Sequence, residues 1–210
     1  MKKKARAPKK KAAKPKKPKK AGPAPALDLG DYRGLVKKVD GFFARVQTRY
    51  RADMQCGAGC WDCCQSSLTV SPLEAEALRQ FLAGADEALR ARLAARAQAL
   101  RGTEGPCPAL DEDGRCAVYP ARPIVCRTHG VPMRVPGRLP VVADAPDVEL
   151  RVCHLNFTGR PLQEVDEECV LDLKTVSTIL GVMNAKQGIE NLSTRIPLGD
   201  VLFAAHRVGQ

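Results

Sequence analysis

Cys56-Gly57-Ala58-Gly59-Cys60-Trp61-Asp62-Cys63-Cys64 places four cysteines within nine residues, two of them adjacent. Cys107, Cys116, Cys126 and Cys153 follow, while a ninth cysteine, Cys169, stands apart in a helix-like pattern. Thiolates are the ligands that soft and borderline metals favour, and cysteines spaced closely on loops converge readily on one ion. Gly57 and Gly59 let the chain turn tightly enough for the sulfurs of Cys56 and Cys60 to meet. Cys63 follows Cys60 at the two-residue gap common to zinc and iron–sulfur sites. The adjacent pair Cys63–Cys64 reaches a single ion only with strain and more naturally faces different metal atoms or opposite sides of a cluster. Eight thiols equal two four-cysteine sites, or one cluster and one closed zinc site. Cys56, Cys60, Cys63, Cys64, Cys107, Cys116, Cys126 and Cys153 are therefore the candidate ligands of zinc or of an iron–sulfur cluster. Buried free thiols account for one or two cysteines, not for this density.

The rest of the composition frames that stretch. The chain has 210 residues, 44% hydrophobic and only 4% aromatic, so its core is expected to be Leu, Val and Ala packing. The formal net charge of +11 is unevenly placed: twelve of the 34 basic residues fall in positions 1–20 without one acid, and the remaining 22 face 23 acids. Residues 1–26 are a Lys/Ala/Pro-rich arm with almost nothing to bury and are expected to be disordered. Lys9, Lys10, Lys11, Lys14, Lys16, Lys17, Lys19 and Lys20 would bind nucleic acid through phosphate neutralisation, without reading sequence; a solubilising tail explains the same composition equally well. No secretory signal or membrane-spanning run is visible, so a cytoplasmic, non-membrane protein is expected. In a reducing compartment a dense thiol cluster points to metal binding or catalysis rather than to disulfides, and nine thiols cannot all pair.

The predicted fold class is mainly α, with an irregular cysteine-rich middle and short β-hairpins, organised by metal over residues 27–210. Tyr32, Leu35, Val36, Val39, Phe42, Phe43, Val46 and Tyr50 recur at three- and four-residue steps, which predicts a helix near 31–51 leading into Cys56. Ser71-Pro72-Leu73-Glu74 is a capping box with proline in the first turn, starting a helix that Gly84 ends near 83. Asp86 caps another through about 101. Prolines and glycines break up residues 103–160. Arg115–Tyr119 is read there as a short strand, and 139–142 with 148–152 as a hairpin. Asp166 is read as the cap of a long helix to about 187, with Cys169, Val170, Leu173, Val176, Ile179, Leu180 and Met183 as its buried stripe and Cys169 a small core hydrophobe. A short helix is expected around 201–205.

The pattern Cys56-x3-Cys60-x2-Cys63-Cys64, then Cys107, Cys116, Tyr119-Pro120-Ala121-Arg122-Pro123-Ile124-Val125-Cys126-Arg127 and Cys153, resembles the YkgJ-type CxxCxxCC cysteine-cluster family. The likeness covers about residues 40–158, and it departs from the family label in a first gap of three residues rather than two. The resemblance implies a zinc- or iron-chelating domain with eight shared cysteines. A methylase member of the family is associated with an iron–sulfur cluster, so the resemblance implies iron as readily as zinc.

Arg122 and Arg127 flank Cys126 and are expected to donate hydrogen bonds to the sulfurs. Arg115 is read as a surface cation. His129 and His154 are reserve ligands. The Cys56/Cys60/Cys63 spacing is also that of radical S-adenosylmethionine enzymes, but the chain is short for a full barrel of ~250 residues and the segment before Cys56 is helical. A non-enzymatic metal-binding protein is favoured. The alternatives are a nucleic-acid-associated protein with a structural zinc module, and an iron–sulfur-dependent enzyme, which would need an open metal position.

Overall fold

A computed structural model describes residues 27–65, 68–136, 148–189, 191 and 193–205. The basic arm and residues 139–142 lie outside the described residues, as does His206. The architecture is mainly α with small strands, and the cysteine-rich middle carries little regular structure. No helix among the described residues is long and apolar enough to cross a membrane.

Helix α1 spans Gly30–Arg49 and buries Tyr32, Leu35, Val39 and Val46, the stripe its periodicity prescribes. A turn of 3-10 helix, Arg51–Asp53, then carries the chain to Cys56. Helix α2 spans Pro72–Ala83 and opens on the complete capping box. The Glu74 carboxylate, 2% exposed, accepts from the Ser71 N–H and hydroxyl at 2.8 Å each. Its other oxygen accepts from the Ile124 N–H at 3.0 Å. That second bond fixes the start of a helix the sequence did not suggest, α4 (Ile124–Thr128), which carries Cys126. Helix α3 (Glu87–Ala99) is capped by Asp86, whose carboxylate accepts from the Leu89 N–H at 2.6 Å. Helix α5 covers Leu173–Lys186 and α6 covers Leu198–Ala205.

The α5 start corrects the expectation of one helix from 166. Residues Glu167–Cys169 form a separate 3-10 turn, and Leu171–Asp172 is a strand. That strand runs parallel to Met133–Pro136, with Met133 opposite Leu171. Asp172 is the cap, accepting from the Thr175 N–H at 2.9 Å. Within the expected stripe Val176 and Leu180 are buried, but Ile179 is exposed, and Cys169 packs into the core from the turn rather than from the helix. Strand Val148–Arg151 exists as expected and pairs antiparallel with Met133–Pro136. Arg115–Tyr119 is not a strand. A single bridge joins Leu110 to Cys116 around a turn at Gly114 (φ 76°), and Tyr119–Ala121 is a 3-10 turn.

Two apolar clusters result. One gathers α1, α4 and α5 with Val131, Phe157 and Cys169, and Cys56 packs at its margin. The other gathers α2, α3 and α6, where Leu78, Leu82, Leu93 and Leu202 are fully buried, with Cys64, Cys107 and Cys116 against it. Burying each such leucine contributes about 2 kcal/mol. The cysteine-bearing loops thus have one set of anchors in each cluster.

Candidate metal centre

All nine cysteines are free thiols. Cys56 follows the 3-10 turn at the end of α1. Between it and Cys60, the Cys60 N–H donates to the Gly57 carbonyl at 3.1 Å, a turn that Gly59 closes with φ 86°. Cys63 and Cys64 end the short 3-10 helix Asp62–Cys64. The Cys107 N–H donates to the Cys64 carbonyl at 2.7 Å, stitching the first cluster to the loop after α3.

From there the chain returns through Cys116. Burial pushes the Cys107 and Cys116 thiols up, and the backbone at Ala109 and Val118, each two residues on, opposes that rise.

The thiols perturb one another electrostatically. Burial pushes the Cys56 thiol up. The Asn156 amide counteracts this, while Cys60, Cys153 and Cys63 push it further up. Burial also pushes Cys126 up to about 12, reinforced by Cys107, Cys116 and Cys63 and opposed by Arg122. Cys64 feels Cys63, Cys107 and Cys116. Charge on Cys60, Cys153 and Cys63 thus acts on Cys56, and charge on Cys107, Cys116 and Cys63 acts on Cys64 and Cys126; among the described residues, Cys153 alone of the eight belongs to a group of three donors within 4.8 Å of one another. Cys63 and Cys64 share a hydrogen bond, which lowers Cys63 and raises Cys64.

The two arginines have different surroundings. Arg122 lies over the Tyr119 ring at 3.8 Å, and its charge pulls down the thiols of Cys63, Cys116 and Cys126. Its Nε is buried and has no hydrogen-bond partner. Arg127, 6% exposed, directs every nitrogen elsewhere. Nη1 donates to both Asp40 oxygens at 3.0 and 2.7 Å, Nη2 to the Pro120 carbonyl at 2.6 Å and Nε to the Arg122 carbonyl at 2.8 Å. Arg127 clasps the loop that leads into α4.

Three residues of the site carried no sequence signal of their own. Asn156, 2% exposed, accepts from the Gln55 N–H at 2.7 Å and donates to the Gly130 carbonyl at 2.6 Å and to the Cys56 sulfur at 3.1 Å. Gly130 (φ 103°) lies so close that a Cβ there would meet the Cys56 sulfur at 2.5 Å. Asp62 approaches Cys153 and His154. One oxygen of Asp62, the Cys153 sulfur and a ring nitrogen of His154 all lie within 4.8 Å of one another. His129 is near: burial lowers its imidazole, Asp62 raises it and His154 lowers it.

Fold and donor set together define a helical scaffold carrying a cysteine-rich segment of unbridged thiols. Residues 55–139 match the model of the CxxCxxCC family, whose description is "Putative zinc- or iron-chelating domain". The match runs from the residue before Cys56 past Cys126 and leaves Cys153 outside it. Neither the curated proteins nor the solved structures gave a match to the chain.

Proposed function

We propose that the chain is a metal-binding protein in which Cys56, Cys60, Cys63, Cys64, Cys107, Cys116, Cys126 and Cys153 hold zinc or an iron–sulfur cluster. The observation that carries this reading is the set of unbridged thiols from five separate segments, most of them within the stretch that matches a zinc- or iron-chelating family model. The donor chemistry fits. The Cys56 sulfur already accepts from the Asn156 amide, and Arg122 supplies positive charge that acts on Cys63, Cys116 and Cys126. Both features suit anionic sulfur held by a cation. Zinc would supply a closed structural cross-link, and an iron–sulfur cluster one-electron transfer. Three of these cysteines have supports of their own: α4 carries Cys126, the Gly114 turn leads to Cys116, and Asn156 donates to Cys56.

Anaerobic purification with metal analysis and a visible absorption spectrum tests the proposal. Brown protein with iron and sulfide selects the cluster, and colourless protein with stoichiometric zinc selects the structural site. Protein that retains neither metal refutes it. Cys63→Ser and Cys64→Ser should each lower metal content and melting temperature, since ligand binding is coupled to folding.

The charge pattern supports a second reading, in which the twelve basic residues of positions 1–20 hold nucleic acid. Affinity that disappears when residues 1–26 are removed, and that falls steeply with salt before removal, is the expected result.

A further inference from the structure

We propose that Asp62, Cys153 and His154 form a mixed-donor site for a divalent transition ion of the zinc type, facing solvent at the edge of the thiol cluster. The site shares Cys153 with the proposed thiolate set and otherwise stands on different residues.

The geometry is the first argument. The three donor atoms lie within 4.8 Å of one another, and His154 Nε2 is 3.6 Å from Asp62 Oδ2. Nitrogen and oxygen donors about 2.0–2.1 Å from one zinc sit ~3.4 Å apart at a tetrahedral angle. The pair is therefore spaced as two ligands would be, and too far apart for a direct hydrogen bond. An exposed Asp–His ion pair by itself contributes little and gives no reason for a buried sulfur to join it.

Local structure is the second argument. Asp62 opens the 3-10 helix Asp62–Cys64, so its backbone is fixed by the segment that positions Cys63 and Cys64. Cys153 and His154 follow the strand Val148–Arg151, and the Asn156 N–H donates to the Cys153 carbonyl at 2.9 Å, which holds that turn. Two ordered segments thus bring the donors together from positions far apart in sequence.

Donor type and exposure decide the ion and its accessibility. One thiolate, one imidazole and one carboxylate form a borderline set that suits zinc better than calcium or magnesium, which want oxygen alone. Cys153 is buried, whereas His154 and Asp62 have side chains 72% and 44% exposed. Three protein ligands with an exposed side leave a position for water or an incoming ligand, unlike a closed four-cysteine site. The ion held here is predicted to exchange readily.

The test uses the full chain loaded with zinc, with Asp62→Ala and His154→Ala as variants. Neither replaces any of the eight proposed thiols, and both side chains are exposed enough that folding should survive. Zinc equivalents per chain are measured, together with the fraction released at once to a competing chelator. Wild type should carry one rapidly exchanging equivalent that each variant lacks. Cobalt in place of zinc should show visible d–d bands that weaken in both variants. Unchanged stoichiometry, release and cobalt spectrum in both variants would overturn the assignment. Cys63→Ser separates the two readings. If it sheds metal while Asp62→Ala and His154→Ala match wild type, the thiol centre stands and this site falls. The reverse pattern keeps this site and removes Cys63 from the ligand set.

Discussion

Replacing Gly130 by Ala should both destabilise the fold and displace the Cys56 sulfur. At φ 103° an L-residue is strained, at a cost of ~1–3 kcal/mol. The added methyl would also sit 2.5 Å from Cys56 Sγ and 3.2 Å from Asn156 Nδ2. Ordinary contacts lie at ~3.5–4.0 Å, so the overlap with sulfur is about 1 Å or more, and overpacking of that kind costs a further ~1–3 kcal/mol. The sum, ~2–6 kcal/mol, is a large share of the ~5–15 kcal/mol that stabilises an ordinary domain. Gly59→Ala is the matched control. Its φ is 86°, but nothing lies within 4 Å of the new methyl, so it bears the backbone strain alone. Urea denaturation of both variants as full chains, with metal equivalents measured in parallel, gives the comparison. Gly130→Ala should have the lower midpoint and reduced metal content, because Cys56 can relieve the clash only by rotating away from Asn156. Equal midpoints and equal metal content would refute the reasoning.

Asn156→Ala removes partners from the Gln55 N–H and the Gly130 carbonyl and should cost ~2–3 kcal/mol in chemical denaturation. Asn156→Asp keeps the acceptor for Gln55 but loses the donor to Cys56, so its metal affinity, read by chelator competition, should fall more than its stability does. Arg127→Lys cannot serve Asp40, Pro120 and Arg122 together and should lose ~2 kcal/mol. Hydrogen exchange should then rise across residues 119–128. Cys169→Ala should lose about 1 kcal/mol in melting while metal equivalents stay at the wild-type value.

What could be read in advance was what is local. Ser71-Pro72-Leu73-Glu74 specifies its own helix start, because the capping box closes within four residues, and α2 begins and ends where that signal puts it. Asp166 offered a comparable signal for α5. It lost to the pairing of Leu171–Asp172 with Met133–Arg134, a contact between positions far apart that no window of sequence contains. The candidate donors were legible by type, since cysteine is rare and reactive. Their supports were not, because Asn156 and Gly130 matter only through what folds against them.

Arg127 shows the limit of adjacency. It neighbours Cys126 in sequence, but successive residues on a helix face directions about 100° apart. The guanidinium therefore turns to Asp40 while Arg122, four residues before Cys126, stays within reach of its sulfur.

The buried carboxylate of Glu74 has a consequence for assembly. By holding the Ser71 turn with one oxygen and the first amide of α4 with the other, it makes two distant stretches of chain fold as one cooperative unit. The Cys126 thiol rides on that unit, so any change that frees the first amide of α4 from Glu74 moves a candidate donor as well as a helix start.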